Sequence, residues 1–371
     1  SEFDLVHPKN KKVLGREKAR EIWDLMAKCA WESGDPGFVI IDKINNSSSN
    51  PTPKLGQIES TNPCGEQPLL PWEPCTLGSI NLSNHVKKID DGKFVVDYEK
   101  LEQTTRTAIN FLDNVIDMSN YVLPEIELMS KGNRRIGLGV MGWGEMLVKL
   151  EIPYDSEEAI TLGEEIMSFI NIKALDQSED LAETRGDFYN FKDSIFDENG
   201  NYFRGKAARP RNCARTTIAP TGTIAITAGL QGSGIEPFFA IAYKRFQAEA
   251  IDKLKLGEKP DEKYVYYEVI PNFLEVAEKN NWFGLDKKIL LDKIINNHGS
   301  VRGIKEIPAR IQKTFVSSYD LHWKTHIDHQ AAFQRHTDNA VSKTINMPNS
   351  ATVQEIQEAY LYAYKAGCKG V

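Results

Sequence analysis

Between Asn45 and Ile80 this chain is too dense in helix and strand breakers to read as mostly regular structure. Asn, Ser and Pro crowd Asn45–Pro53, and Pro63, Pro68, Pro71 and Pro74 follow at intervals that break helices and remove strand donors. An irregular stretch of that length inside a compact domain is ordinarily functional. Residues 45–80 are therefore expected to be mostly loop, and the rest of the chain to be its scaffold.

The flanks read as alternating helices and strands. Ile22, Leu25, Met26, Cys29 and Ala30 recur at helical spacing within Arg16–Ser33, Gly34-Asp35-Pro36-Gly37 stops that helix, and Phe38–Ile41 reads as extended. Beyond the loop, residues 97–121 read as an amphipathic helix through Leu101, Ala108, Phe111, Leu112, Val115 and Met118, and 156–185 as another, ended by Arg185-Gly186-Asp187. Arg135–Met141 and Ala214–Ala219 are strand candidates. Pro220-Thr221-Gly222-Thr223 then makes a tight turn, and Ile224–Ala228 starts a helix. Residues 246–300, rich in Lys, Glu and Asp and less periodic, read as a peripheral helical insertion. Ala331–Ala340 reads as helix, Ser342–Met347 as extended, Thr352–Ala366 as helix, and Lys369-Gly370-Val371 as the start of a strand. The alternation predicts an α/β fold with parallel strands, one segment spanning 1–371.

Charge and cysteine usage narrow the chemistry. A net charge of −7 gives no basic face for nucleic acid, though a short loop can still hold a free nucleotide. No apolar run approaches the roughly 20 residues that cross a bilayer, and Ser1-Glu2-Phe3-Asp4 has no signal-peptide character, so a cytoplasmic protein is expected. Cys29, Cys64, Cys75, Cys213 and Cys368 are too few and too scattered for a disulfide framework. A pair that matters in a reducing compartment is expected to be catalytic.

The densest chemical signal is Asn62-Pro63-Cys64-Gly65-Glu66, with Cys75 following in Pro74-Cys75-Thr76-Leu77-Gly78. A thiol there stands two residues from a carboxylate and two from a carboxamide, on a loop whose backbone Pro63 and Gly65 shape. Cys64 can be a nucleophile or hydrogen-atom donor, Glu66 a general base, and Asn62 a neutral group that orients a hydroxyl. A buried cysteine with incidental polar neighbours is the bland alternative, and Cys29, Cys213 and Cys368 are read that way. The second signal is Pro220-Thr221-Gly222-Thr223-Ile224, where a strand ends and a helix start presents unpaired N–H groups and hydroxyls suited to an anion. His322, His326 and His329 share one helical face at metal-site spacing, but no Asp, Glu or Cys is placed with them, and no metal site is assigned.

The Asn-Pro-Cys-Gly-Glu string and the Cys-Thr-Leu-Gly-Ser-Ile-Asn-Leu that follows resemble the finger loop of class II ribonucleotide reductases. The resemblance extends through Gly142-Trp143-Gly144, the 220–224 turn, Gly234-Ile235-Glu236-Pro237, Gln330–Gln334 and Asp338–Asn346, and covers most of the chain outside 246–300. It implies a ten-stranded reductase-type α/β barrel, of which this chain supplies the finger loop and the second half. By the same resemblance Cys64 is the thiyl radical that takes the ribose 3′ hydrogen, Glu66 takes the 3′ hydroxyl proton, and Asn62 holds the substrate hydroxyls. Cys75 is then one of two thiols that supply electrons and end as a disulfide, and Pro220, Thr221, Gly222, Thr223 and Ile224 bind the substrate phosphates.

What else follows is likewise implied by the resemblance. The substrate is a ribonucleoside di- or triphosphate, the cofactor adenosylcobalamin, and the reductant a thioredoxin-like protein or other dithiol. The assembly is a dimer completed by the N-terminal half of the enzyme, as a separate or spliced chain. A class I large-subunit fragment, its radical supplied by a separate metal-containing subunit, is the nearest alternative. A glycyl-radical enzyme and a non-catalytic assembly subunit are more distant ones.

Overall fold

The computed structural model describes residues 1–90 and 92–371. At its centre the strand Thr76–Asn81 runs parallel to Ile136–Met141, in register from Thr76 opposite Ile136 to Asn81 opposite Met141. Every residue of Ile136–Met141 is buried, as an apolar strand covered on both faces requires. Gly139 is obligatory there, because a Cβ would run into the Thr217 carbonyl oxygen of the next segment.

That next segment is Ala214–Ala219. Leu138 N donates to Arg215 O at 2.8 Å and Thr217 N to Leu138 O at 3.1 Å, while on its other side Ile218 N donates to Ala340 O at 3.1 Å and Ser342 N to Ile218 O at 2.8 Å. Parallel bridges Leu138–Thr216 and Ile218–Val341 mark the same order. Four extended segments thus lie side by side, 76–81, 136–141, 214–219 and 339–342, with the last two joined by bridges rather than a full ladder. They form an open parallel array of the α/β class; among the described residues it does not close into a barrel.

Helices cover the array. Tyr98–Met118 is started by Asp97, which accepts from Lys100 N, and Glu157–Arg185 by Ser156, which accepts from Ala159 N. Their apolar residues Leu101, Ile109, Leu112, Ile166, Met167 and Ile170 meet Trp143 and Phe333 in the main core. Val353–Ala366 has a capping box at Thr352 and Glu355 and a left-handed Gly367 at its end. The chain end then pairs antiparallel with Phe38, Phe38 and Val371 exchanging N–H···O bonds at 2.9 Å each.

Several elements differ from the sequence expectation. The first helix starts at Ala19 because Val13–Lys18 pairs as a strand with Glu2–Val6, and Ile22 and Leu25 of its expected apolar face are exposed. In Tyr98–Met118, Phe111 and Met118 are exposed while Asp113 is buried, accepting from Arg134 Nε at 2.8 Å, Arg211 Nε at 2.9 Å and Arg185 Nη1 at 3.1 Å. That ion cluster sets the helix's rotation. The helix expected over Ala331–Ala340 is Trp323–Gln334, ending where Asp338 turns to pair with Arg215 at 2.8 Å. The end of the 45–80 stretch is strand, Thr76–Asn81. Within 246–300, helices Ala248–Lys255, Pro271–Lys279 and Lys287–Asn296 accompany a pairing of Ala242–Phe246 with Val265–Val269, and Phe273, Leu290 and Ile294 pack in an apolar cluster shared with Phe238, Ile241 and Phe315.

Candidate active site around Cys64

The loop that carries Cys64 is a tight turn clamped by one side chain. Asn62 Oδ1 accepts from Gln67 N at 3.0 Å, Asn62 O accepts from Gly65 N at 3.0 Å, and Asn62 N donates to Gln67 O at 3.2 Å. Gly65 has φ +79°, which only glycine adopts without strain. Pro63, Cys64 and Gly65 are thereby held at the tip, and the short pairing of Ser60–Thr61 with Pro68–Leu69 forms the stem.

Cys64 is the one exposed cysteine of the five. With Thr61, Pro63 and Gly65 it lines a cavity of about 390 Å³, whose other walls come from 37–39, 341–344 and 370–371. This volume falls in the range of small-molecule sites. The cavity brings the loop tip to the end of the parallel array.

Asn62 and Glu66 sit beside this cavity rather than in its lining. The Asn62 carboxamide oxygen is committed to the turn, leaving its Nδ2 without a protein partner among the described residues. The Glu66 side chain is buried and its Oε2 has no hydrogen-bond partner, the mark of a carboxyl group kept for something besides packing. Its main-chain carbonyl accepts from Thr217 Oγ1 and from Ala340 N, each at 3.0 Å.

Cys75 lies behind the loop, half-buried, in the electrostatic neighbourhood of Arg135, Glu73, Cys213 and Glu66. Burial pushes its thiol up, with the Arg135 guanidinium opposing; the buried Cys213 thiol is pushed up to about 12 for the same reason. Arg135 is fully buried, its Nε 2.9 Å from Glu73 Oε1 and its Nη1 donating to Ser49 O at 3.1 Å, and its Nη2 has no partner. Cys213 and Cys368 are both buried and Cys29 is half-buried.

The 220–224 turn is a separate neighbour. Thr221 is buried at φ +59° and its Oγ1 accepts from Gly234 N at 2.8 Å, while Gly222, Thr223 and Ile224 are exposed at the start of helix Gly222–Thr227. The loop beyond that helix is pinned by Glu145, whose Oε1 accepts from Gln231 N and Gly232 N at 2.8 Å. None of 220–224 lines the Cys64 cavity. The two are joined through 234–236, as described below. The larger cavity, about 800 Å³ within 244–292, contains none of the expected site residues.

The three histidines do not converge. His322 Nδ1 accepts from Lys324 N at the helix start, His326 Nδ1 meets Lys343 Nζ at 2.9 Å, and His329 Nε2 meets Tyr154 O at 2.8 Å. Sequence reasoning gave no role to Glu73, Arg135, Glu236 or Lys343. The available signal was a charge set against apolar sequence, as with Arg135 at the head of Ile136–Met141, which marks a cation that must be paired inside.

A family model described as ribonucleotide reductase, barrel domain, matches residues 3–371. A vitamin B12-dependent ribonucleoside-diphosphate reductase of Thermoplasma acidophilum is 43% identical over 368 residues, 99% of this chain and 44% of that protein. One from Mycobacterium tuberculosis is 42% identical over 367 residues, 99% of this chain and 48% of that protein. The chain thus spans about half the length of the curated relatives it matches. Among solved structures, the alpha subunit of the class Id ribonucleotide reductase of Actinobacillus ureae superimposes with TM-score 0.72 at 22% identity, over 95% of this chain and 60% of that one, a likeness of fold.

Proposed function

Since the chain belongs to the ribonucleotide reductase barrel family, we propose that it is the thiyl-radical segment of a vitamin B12-dependent reductase, with Cys64 as the radical site. The observation that carries this reading is the exposure of Cys64 at the tip of a clamped turn, on the wall of a cavity in the size range of small-molecule sites. The other four cysteines are buried or half-buried.

Cys64 sulfur takes the 3′ hydrogen of the ribose while Glu66 accepts the 3′ hydroxyl proton. The C2′–O bond then breaks, the oxygen leaves as water, and a C2′–H bond forms. Two thiols, one of them Cys75, are oxidised to a disulfide, and the 3′ hydrogen returns from Cys64. Asn62 Nδ2, without a partner among the described residues, would donate to a substrate hydroxyl, and the Glu66 carboxylate, whose Oε2 is unpartnered, would act as the base. The phosphates are assigned to the N–H groups and hydroxyls of 220–224.

Adenosylcobalamin, when bound, supplies the radical that Cys64 carries. An exposed thiol fits a group of that bulk, which could not reach a buried one, and Phe38, Val39 and Pro63 around the cavity would be the residues to hold it. The substrate class is a ribonucleoside diphosphate, as in the relatives' names, and a thioredoxin-like dithiol is the reductant. The site works as part of a longer, dimeric, cytoplasmic enzyme; among the described residues no helix is long and apolar enough to cross a membrane. The reading is tested with a 3′-deuterated ribonucleoside diphosphate, in assays with the remainder of the enzyme. A primary isotope effect on deoxynucleotide formation is expected, and its abolition by Cys64→Ala together with all turnover; product formation by that variant would remove Cys64 from the mechanism.

A further inference from the structure

Lys343 lines the Cys64 cavity, yet its side chain is wholly withdrawn from solvent. An ammonium has three donors, and all three are taken: by the Glu236 carboxylate, by His326 Nδ1 at 2.9 Å, and by the Thr344 carbonyl at 2.7 Å. His326 accepts in that contact, which places its own proton on Nε2. Burial and the adjacent ammonium push the imidazole down to about 2, so it stays neutral and keeps its Nδ1 lone pair. A lysine so saturated has no donor left for a ligand. Its effect on a ligand has to pass through the residues it holds.

Glu236 is the other half of the device. Its Oε1 accepts from Thr344 N at 2.7 Å, so one carboxylate grips both the 343 side chain and the 344 main chain. Its own segment is tethered in turn, since Glu236 N donates to Ser233 O at 2.8 Å and Gly234 N donates to Thr221 Oγ1 at 2.8 Å. A path of bonded residues therefore runs from the 220–224 turn through 234–236 into the 341–344 wall of the cavity. Apolar residues of similar volume often replace a buried ion pair at no cost in stability. Here the Lys343 ammonium is withdrawn from solvent while the Glu236 carboxylate keeps partial contact with it, and a cation buried between two segments that both border the site is better explained by the geometry it fixes.

Resting on the function proposed above, the geometry points to Lys343 as a positioning residue: with Glu236 it locks the 341–344 wall of the Cys64 cavity to the 220–224 turn, so that a nucleotide's phosphates and ribose are held in register with the thiol. Displacing such a frame by about 1 Å is enough to cost on the order of a hundredfold in an enzyme.

The test compares CDP with cytidine as protectants of Cys64 against iodoacetamide with the remainder of the enzyme present, using Lys343→Met and Glu236→Gln in this chain. In the unaltered chain CDP protects at lower concentration than cytidine, and in both variants that advantage shrinks by about tenfold while cytidine protects as before. With the remainder of the enzyme present, kcat/KM for CDP falls by on the order of a hundredfold, with kcat lowered as well as KM raised. A purely structural lysine would lower the melting temperature and leave the CDP-to-cytidine ratio intact. Glu236→Gln preserves side-chain shape and carries the comparison if Lys343→Met does not fold. An unchanged ratio in folded variants overturns the role of Lys343 alone. No advantage of CDP over cytidine in the unaltered chain overturns the phosphate assignment to 220–224, and this inference with it.

Discussion

Thr217 Oγ1 donates to the main-chain carbonyl of Glu66 at 3.0 Å, tying the Cys64 loop to the third segment of the parallel array. The same carbonyl accepts from Ala340 N, and the same hydroxyl reaches Ala340 O at 3.3 Å. Loop 62–67 is thereby registered against two segments of its scaffold at once.

Thr217→Val removes the hydroxyl and keeps the shape. Glu66 O retains its bond from Ala340 N, so the expected loss is about 1 kcal/mol, the net worth of an ordinary hydrogen bond. Urea denaturation reads it. A variant as stable as the parent would show that this bond does not hold the loop.

Glu73→Ala acts on a buried charge. Glu73 and Arg135 both have fully buried side chains, and the carboxylate also accepts from Asn133 Nδ2 at 2.6 Å and Leu70 N at 3.0 Å. Removing it leaves Arg135 uncompensated, for an expected loss of about 3–5 kcal/mol. A loss below about 1 kcal/mol, the scale of a surface pair, would contradict the burial of this pair.

These two cases show what the sequence made legible. The turn was readable because Pro63, Gly65 and the spacing of Asn62, Cys64 and Glu66 are local facts, and the helices Tyr98–Met118 and Val353–Ala366 because their periodicity is. The contacts that hold the site were not. Thr217 lies 151 residues from Glu66 and Lys343 lies 107 from Glu236, and no periodicity reports such pairings. The exposed Phe111 and buried Asp113 fail the amphipathic rule for a related reason: a distant arginine cluster outbids the apolar stripe.

His329 makes stability depend on acid. It is fully buried, with Nε2 bonded to Tyr154 O and Nδ1 unpartnered, and burial pushes its pKa down to about 4 from 6.5. Between those values the unfolded chain binds a proton that the folded chain does not, so stability is full above pH 6.5 and is lost as pH falls towards 4. The loss at pH 4 is on the order of 3 kcal/mol. His326 acts in the same direction to lower pH. His329→Gln, whose amide can still donate to Tyr154 O, is expected to flatten the stability profile across that window. Superimposable profiles for the two proteins would exclude His329 as the titrating group.

Cys75→Ser separates the reducing thiol from the radical thiol. With the remainder of the enzyme present, Cys64 can still take the 3′ hydrogen, but the two electrons that complete reduction have lost one of their sources. The chemistry is expected to start and stall, releasing free base with little deoxynucleotide. A merely structural Cys75 predicts instead full activity, with any effect confined to stability. Unimpaired steady-state reduction by Cys75→Ser would refute its redox role.

The central claim is that Cys64 carries the radical, and the most direct measurement is product and free base assayed side by side for Cys64→Ala, in the same assembly that gives deoxynucleotide with the unaltered chain. The account predicts a variant that binds ribonucleoside diphosphate as before and yields neither deoxynucleotide nor free base. Deoxynucleotide formed by Cys64→Ala at any rate above background would contradict it.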